Sequence, residues 1–272
     1  MTATAHDHAL THLSPAATRL GRAFARPKTL AVACVVSLTA LGWIYLGLMT
    51  AEYSWLAALC RPAAGGAGVS DFALIWLMWC AMALAMMLPT AGAMIWTYAE
   101  IADTAARKGE RVVSPFVLAA GYAAVWLGFA AAAAALQVAL ARAALIGPVV
   151  APDSTLMSGA IFIAAGLYQF SSFKQACLRF CQRPFQFFFV NWSTRPRGVF
   201  RLGLKQGLHC LGCCWAMMLV MLAVGVMNVL WMAALGVIMT IEKMATTAKF
   251  ARVTGFIFVA AGTAFVISGI FA

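Results

Sequence analysis

The residues His209-Cys210-Leu211-Gly212-Cys213-Cys214 place three thiols and an imidazole together, where a long apolar run begins. A second thiol pair, Cys177 and Cys181, lies about thirty residues earlier, so five of the eight cysteines fall in two patches. On a helix, Cys210 shares a face with Cys213 and Cys214, and His209 lies over Cys213. Cys177 and Cys181 are likewise one turn apart. Clustered thiolates with one imidazole suit a soft metal: copper(I), zinc, or iron in a cluster. Two other readings stand beside this one. Paired thiols can serve an oxidoreductase that passes electrons to quinone, and cysteine is also an ordinary small apolar residue of cores.

Methionines tilt the choice of metal. Met78, Met82 and Met86 recur every four residues, and Met217 and Met221 repeat that spacing one turn beyond the cysteines. Thioethers bind copper(I) and do little for zinc. Being neutral, they form a possible path inside an apolar bundle. Methionine is equally an ordinary core filler. Glu242 is an acid at the end of an apolar run, where ionisable residues are functional candidates. It could accept a hydrogen bond from His209, bind the metal or carry a proton. The structural alternative is an ion pair with Lys243 or Lys249. Glu100 is a second acid of this kind.

The elements that must position these groups are apolar helices. Of 272 residues, 64% are hydrophobic and only 10% charged, whereas soluble domains have nearer a quarter charged. The apolar runs are about twenty residues long, enough for a hydrocarbon core roughly 30 Å thick. The fold class is therefore all-α, a polytopic helical membrane protein of the inner (plasma) membrane, with the lipid bilayer as its first partner. Residues 1–28 form a polar, basic tail, in which His6, His8 and His12 belong to a disordered end. Residues 29–272 form one transmembrane domain with spans near 29–50, 72–98, 115–141, 155–175, 206–225, 228–244 and 252–271. Pro89 predicts a kink in the second, because it cannot donate to the Ala85 carbonyl. Six spans result if 206–246 is a single element.

Charge tests this division. With the N-terminus in the cytoplasm, inside segments hold four, three, seven and three Lys or Arg, and outside segments only Arg61 and Arg142. Such asymmetry is the positive-inside pattern. It accounts for the net charge of +11 without nucleic acid as a partner. The loop at 176–205 mixes Arg179, Arg183, Arg195, Arg197, Arg201 and Lys205 with aromatic residues, which suits the headgroup layer. Both cysteine patches then face the cytoplasm, where thiols stay reduced and clusters more often hold metal.

The chain also resembles a bacterial family of uncharacterised, predicted metal-binding integral membrane proteins. The resemblance rests on Trp79 with Ala85-Met86-Met87-Leu88-Pro89, on Cys177-x-x-x-Cys181-x-Arg183-Pro184 and on Cys210-x-Gly212-Cys213-Cys214-Trp215. Gly225-x-Met227-Asn228, Trp231-Met232 and Glu242-Lys243 continue it. It implies a metal-binding membrane protein, and some members are labelled copper chaperones. The expected function is binding of a soft metal, copper(I) before zinc or iron, for delivery or transport to a metal-receiving protein or membrane enzyme complex. The ligands come from Cys177, Cys181, His209, Cys210, Cys213 and Cys214. A membrane oxidoreductase and an assembly or scaffold subunit are the alternatives. No phosphate loop, hydrolase triad or paired-carboxylate site is present.

Overall fold

The computed structural model describes residues 27–50, 69–143, 154–225, 228–245 and 249–271. The histidines of the tail, Cys60, Arg61, Pro148 and Pro152 lie outside the described residues. All regular structure among the described residues is helical: α1 (Pro27–Thr50), α2 (Val69–Arg107), α3 (Pro115–Arg142), α4 (Thr155–Gln169), α5 (Ser172–Gln182), α6 (Pro184–Val190), α7 (Pro196–Val224), α8 (Val229–Met244) and α9 (Lys249–Phe271). Among the described residues, four stretches are long and apolar enough to cross a membrane: Phe72–Arg107, Pro115–Arg142, Pro196–Val224 and Lys249–Ile270. The α4–α5 pair would make a fifth if it is one broken span.

The local chemistry explains most boundaries. Pro115, Pro184 and Pro196 each open a helix, where a missing N–H costs nothing. Gly225 ends α7 at φ 90°, a conformation glycine takes freely. Asn228 then caps α8, accepting a hydrogen bond from the Trp231 N–H at 3.2 Å. The long apolar run is thus divided at the expected turn. Asn228 spends its side chain on this cap rather than on a neighbouring helix. Gln137 makes an interhelical bond, accepting from Trp79 Nε1 at 2.8 Å.

Helix α2 continues through Pro89, and the Ala85 carbonyl that Pro89 cannot serve accepts a hydrogen bond from Trp43 Nε1 of α1 at 3.1 Å. Two expectations change. First, the fourth helix does not run on towards Cys177. It stops at Gln169, and the chain turns by 65° into α5, whose first turn Ser171 caps by accepting from the Lys174 N–H. Second, most of 176–205 is helix rather than loop. It holds the end of α5, all of α6 and the first turns of α7. In α7, Arg197, Arg201 and Lys205 point outward while Val199, Leu202, Gly203 and Gln206 are buried, a helical period. Phe185 and Phe189 are exposed, but Phe187 and Phe188 are core residues.

Helix α7 is the central element, packed on α3, α4, α5 and α8. Its approach to α3 is as close as backbone allows. A Cβ on Gly203 would lie 2.1 Å from the Leu118 carbonyl oxygen, and one on Gly121 would lie 2.2 Å from that of Phe200. Small residues permit this contact.

Candidate metal centre

Helix α5 supplies Cys181, and α7 supplies Cys210, Cys213 and Cys214. The sulfurs of Cys181, Cys210 and Cys213 all lie within 4.8 Å of one another. The Cys181–Cys213 separation is 4.0 Å, and Cys214 Sγ lies 3.3 Å from Cys213 Sγ. Thiolate–metal bonds of about 2.3 Å in a trigonal plane would hold sulfurs about 4 Å apart. The triangle therefore suits one soft ion with little adjustment. Cys210, Cys213 and Cys214 are buried, and the seven cysteines among the described residues are free.

Groups that sequence reasoning did not single out for the site surround Cys210. Its sulfur lies 3.0 Å from Tyr122 Oη of α3 and accepts a hydrogen bond from Lys243 Nζ of α8 at 3.1 Å. Lys243 also donates to Thr90 Oγ1 at 2.8 Å and sits 3.8 Å from Met87 Sδ. Tyr122 Oη further donates to the Met87 carbonyl at 3.4 Å. Four helices thus meet at one thiol. The signals were present in part: Lys243 is a charge beside Glu242 at the end of an apolar helix, and Thr90 follows the helix-interior proline. Nothing in the sequence distinguishes Tyr122.

The other expected ligands are placed differently. Cys177 lies one turn before Cys181, with its sulfur against Gly212. His209 stacks on Phe180, with ring centroids 4.2 Å apart and planes 12° from parallel, and meets Phe187 edge-on. Neither belongs to the three-sulfur group. Both line a surface groove of about 690 Å³ with Phe129, Phe173 and Trp215. The turn at Ser171 sets α5 at an angle that brings Cys181, not Cys177, to the site.

Glu242 is a correction. Its partner is Lys174, at 2.7 Å, rather than His209, Lys243 or Lys249. The two side chains are only 1% and 2% exposed, and burial of this kind requires pairing. Gln182 Nε2 donates to the Glu242 and Ala245 carbonyls at 2.9 and 2.6 Å, so α5 is tied to the end of α8 by three bonds. Met78, Met82, Met86, Met217 and Met221 are all buried. The thioether seen at Lys243 is Met87, one residue past the stripe.

The arrangement offers soft, closely spaced sulfurs, one fixed cation and no wide opening at the sulfurs themselves. That is a place to hold a metal ion. Comparison with curated proteins and with solved structures finds no match. A family model described as PpoB2, copper chaperone, matches residues 76–265, which include every residue of the site. The match covers more than half of the chain, and the protein belongs to the PpoB2 copper chaperone family.

Proposed function

We propose that this protein is a seven-span protein of the inner membrane, N-terminus in the cytoplasm, that takes copper(I) at Cys181, Cys210 and Cys213 and delivers it to a receiving protein. The observation that carries the reading is the 4.0 Å Cys181–Cys213 edge of a buried three-sulfur triangle. Three thiolates of this spacing suit copper(I), a soft ion. Copper is the cargo here, so the site must release it as well as hold it. Cys214, 3.3 Å from Cys213, is placed to take part in that exchange. The buried methionines supply neutral donors deeper in the bundle.

Lys243 supplies the positive charge that a thiolate cluster needs in an apolar setting. A hydrogen bond to a charged group contributes about 1.5–3 kcal/mol. Lys243→Leu is therefore expected to weaken copper(I) binding by about 10- to 100-fold, while Lys243→Arg restores part of it. Competition with a copper(I) chelator measures both. Equal affinity in the Leu variant would remove Lys243 from the site.

The test of the function is elemental analysis of protein purified in mild detergent under reducing, oxygen-free conditions. Near-stoichiometric copper is expected. Zinc in its place would overturn the cargo assignment. Iron with a visible spectrum that changes on reduction would favour a membrane oxidoreductase. Purification with a partner and without metal would favour a scaffold role.

A further inference from the structure

We infer that the groove between α5 and α7 binds one anionic phospholipid, with an acyl chain in the groove and the phosphate at Arg201 and Lys205. This rests on the inner-membrane reading of the chain and not on its copper cargo. The groove is open at the surface, with a volume of about 690 Å³. Phe173 and Phe180 of α5, Leu208, Leu211 and Trp215 of α7 and Phe129 of α3 line it, and its walls are apolar apart from Cys177 and His209. Phe173 is 62% and Leu208 59% exposed. Contiguous apolar surface of this kind marks a binding site, and a hydrocarbon chain is the occupant that covers it inside a membrane.

Charge selects the kind of lipid. Arg197, Arg201, Lys205 and His209 recur every four residues along α7, so they form one ridge. The three cations are exposed, and the ridge leads down to His209 in the groove wall. Arg179 and Arg183 are exposed at the α5 side. No Asp or Glu occurs between Ser154 and Ile241, so this stretch offers its cations no carboxylate. Basic pockets between membrane helices on the cytoplasmic side take anionic headgroups for this reason. The lengths agree as well. A helix rises about 1.5 Å per residue, which puts Lys205 about 6 Å and Arg201 about 12 Å before His209. From Lys205 to Trp215 is about 15 Å, half of a hydrocarbon core about 30 Å thick. The groove therefore has the depth of one leaflet below a phosphate at Lys205.

The lipid acts on the seam that builds the sulfur site. Its chain touches both α5 and α7, which carry Cys181 and Cys213. Cys177 sulfur packs against Gly212 in this seam, and the acyl chain covers the outer side of the same contact. A ligand that binds only the folded arrangement stabilises it, so the bound lipid holds α5 against α7.

The test uses the full-length protein in mild detergent, stripped of lipid. Phosphatidylglycerol, which is anionic, or zwitterionic phosphatidylethanolamine with the same acyl chains is added back. Native mass spectrometry counts the lipid held per chain, and thermal unfolding reads its effect on stability. One phosphatidylglycerol per chain is expected, bound at least about tenfold more tightly than phosphatidylethanolamine and raising the unfolding temperature. Arg201→Gln/Lys205→Gln is expected to lose the preference. Arg107→Gln/Lys108→Gln, exposed at the end of α2, is expected to keep it. Ala176→Phe, which fills the groove and keeps every cation, is expected to hold neither lipid. Equal binding of the two lipids by the wild type overturns the proposal. So does a preference that survives in the Arg201/Lys205 variant or is lost equally in the Arg107/Lys108 variant. Wild-type binding by a folded Ala176→Phe protein also overturns it. The charge variants alter only exposed side chains, so they decide the matter where Ala176→Phe does not fold. A protein that alkaline carbonate releases from membranes without detergent overturns the inner-membrane reading beneath. One that needs detergent and shows no lipid preference overturns the lipid site alone.

Discussion

Cys210→Ser/Cys213→Ser is expected to lose its copper entirely while keeping its helices. The substitution removes two corners of the sulfur triangle and leaves Cys181 as its last corner. A serine oxygen is a hard donor that does not hold copper(I). The fold has less to lose. Serine at position 210 can still accept from Lys243, which now donates at 3.1 Å to sulfur, and the change in side-chain volume is small. Elemental analysis beside circular dichroism separates the two effects. Full copper content in the variant would place the metal elsewhere.

Glu242→Ala is expected to destabilise the protein by about 3–5 kcal/mol, because Lys174 would remain buried without its counter-charge. Both members are almost wholly excluded from solvent, and the bond is 2.7 Å. The pair joins α5, which carries Cys181, to α8, which carries Lys243. Losing it should therefore loosen the site as well as the fold. The double variant Lys174→Met/Glu242→Leu is expected to recover most of the loss, since apolar replacements of a buried pair are often neutral. Thermal unfolding in detergent measures all three proteins. A single variant as stable as the wild type would mean that the pair is hydrated.

The helices were legible because apolar runs and turn residues carry their own physics. Gly225 and Asn228 divided a long apolar stretch correctly, whereas Pro184 and Pro196, which open α6 and α7, lay in the stretch that reads as a loop. The start of α7 was misjudged by ten residues. Arg197, Arg201 and Lys205 read as loop charges, yet at helical spacing they form the outer face of an amphipathic turn. The site was legible as a composition of thiols but not as a selection among them. Which of Cys177 and Cys181 reaches α7 depends on the 65° turn at the start of α5, set by Ser171 and long-range packing. Lys174 was hidden for the same reason. A lysine next to an apolar helix reads as surface, and only the tertiary arrangement shows Glu242 waiting for it. Tyr122 lies on a helix with little sequence signal, and it matters because Gly121 lets α3 press against α7.

The break between α4 and α5 has a further consequence. Because Cys181 stands on a short helix beyond a sharp bend, a metal bound to it and to Cys213 acts as a removable cross-link within the polymer. It closes the intervening chain, which includes α6 and the bend into α7, into a ring. By the loop-entropy estimate for a covalent tie over this length, such a closure is worth roughly 3–4 kcal/mol against unfolding. The loaded chain would then be the longer-lived one, and delivery of the ion would reopen the ring. Cargo status would be written into the lifetime of the carrier itself.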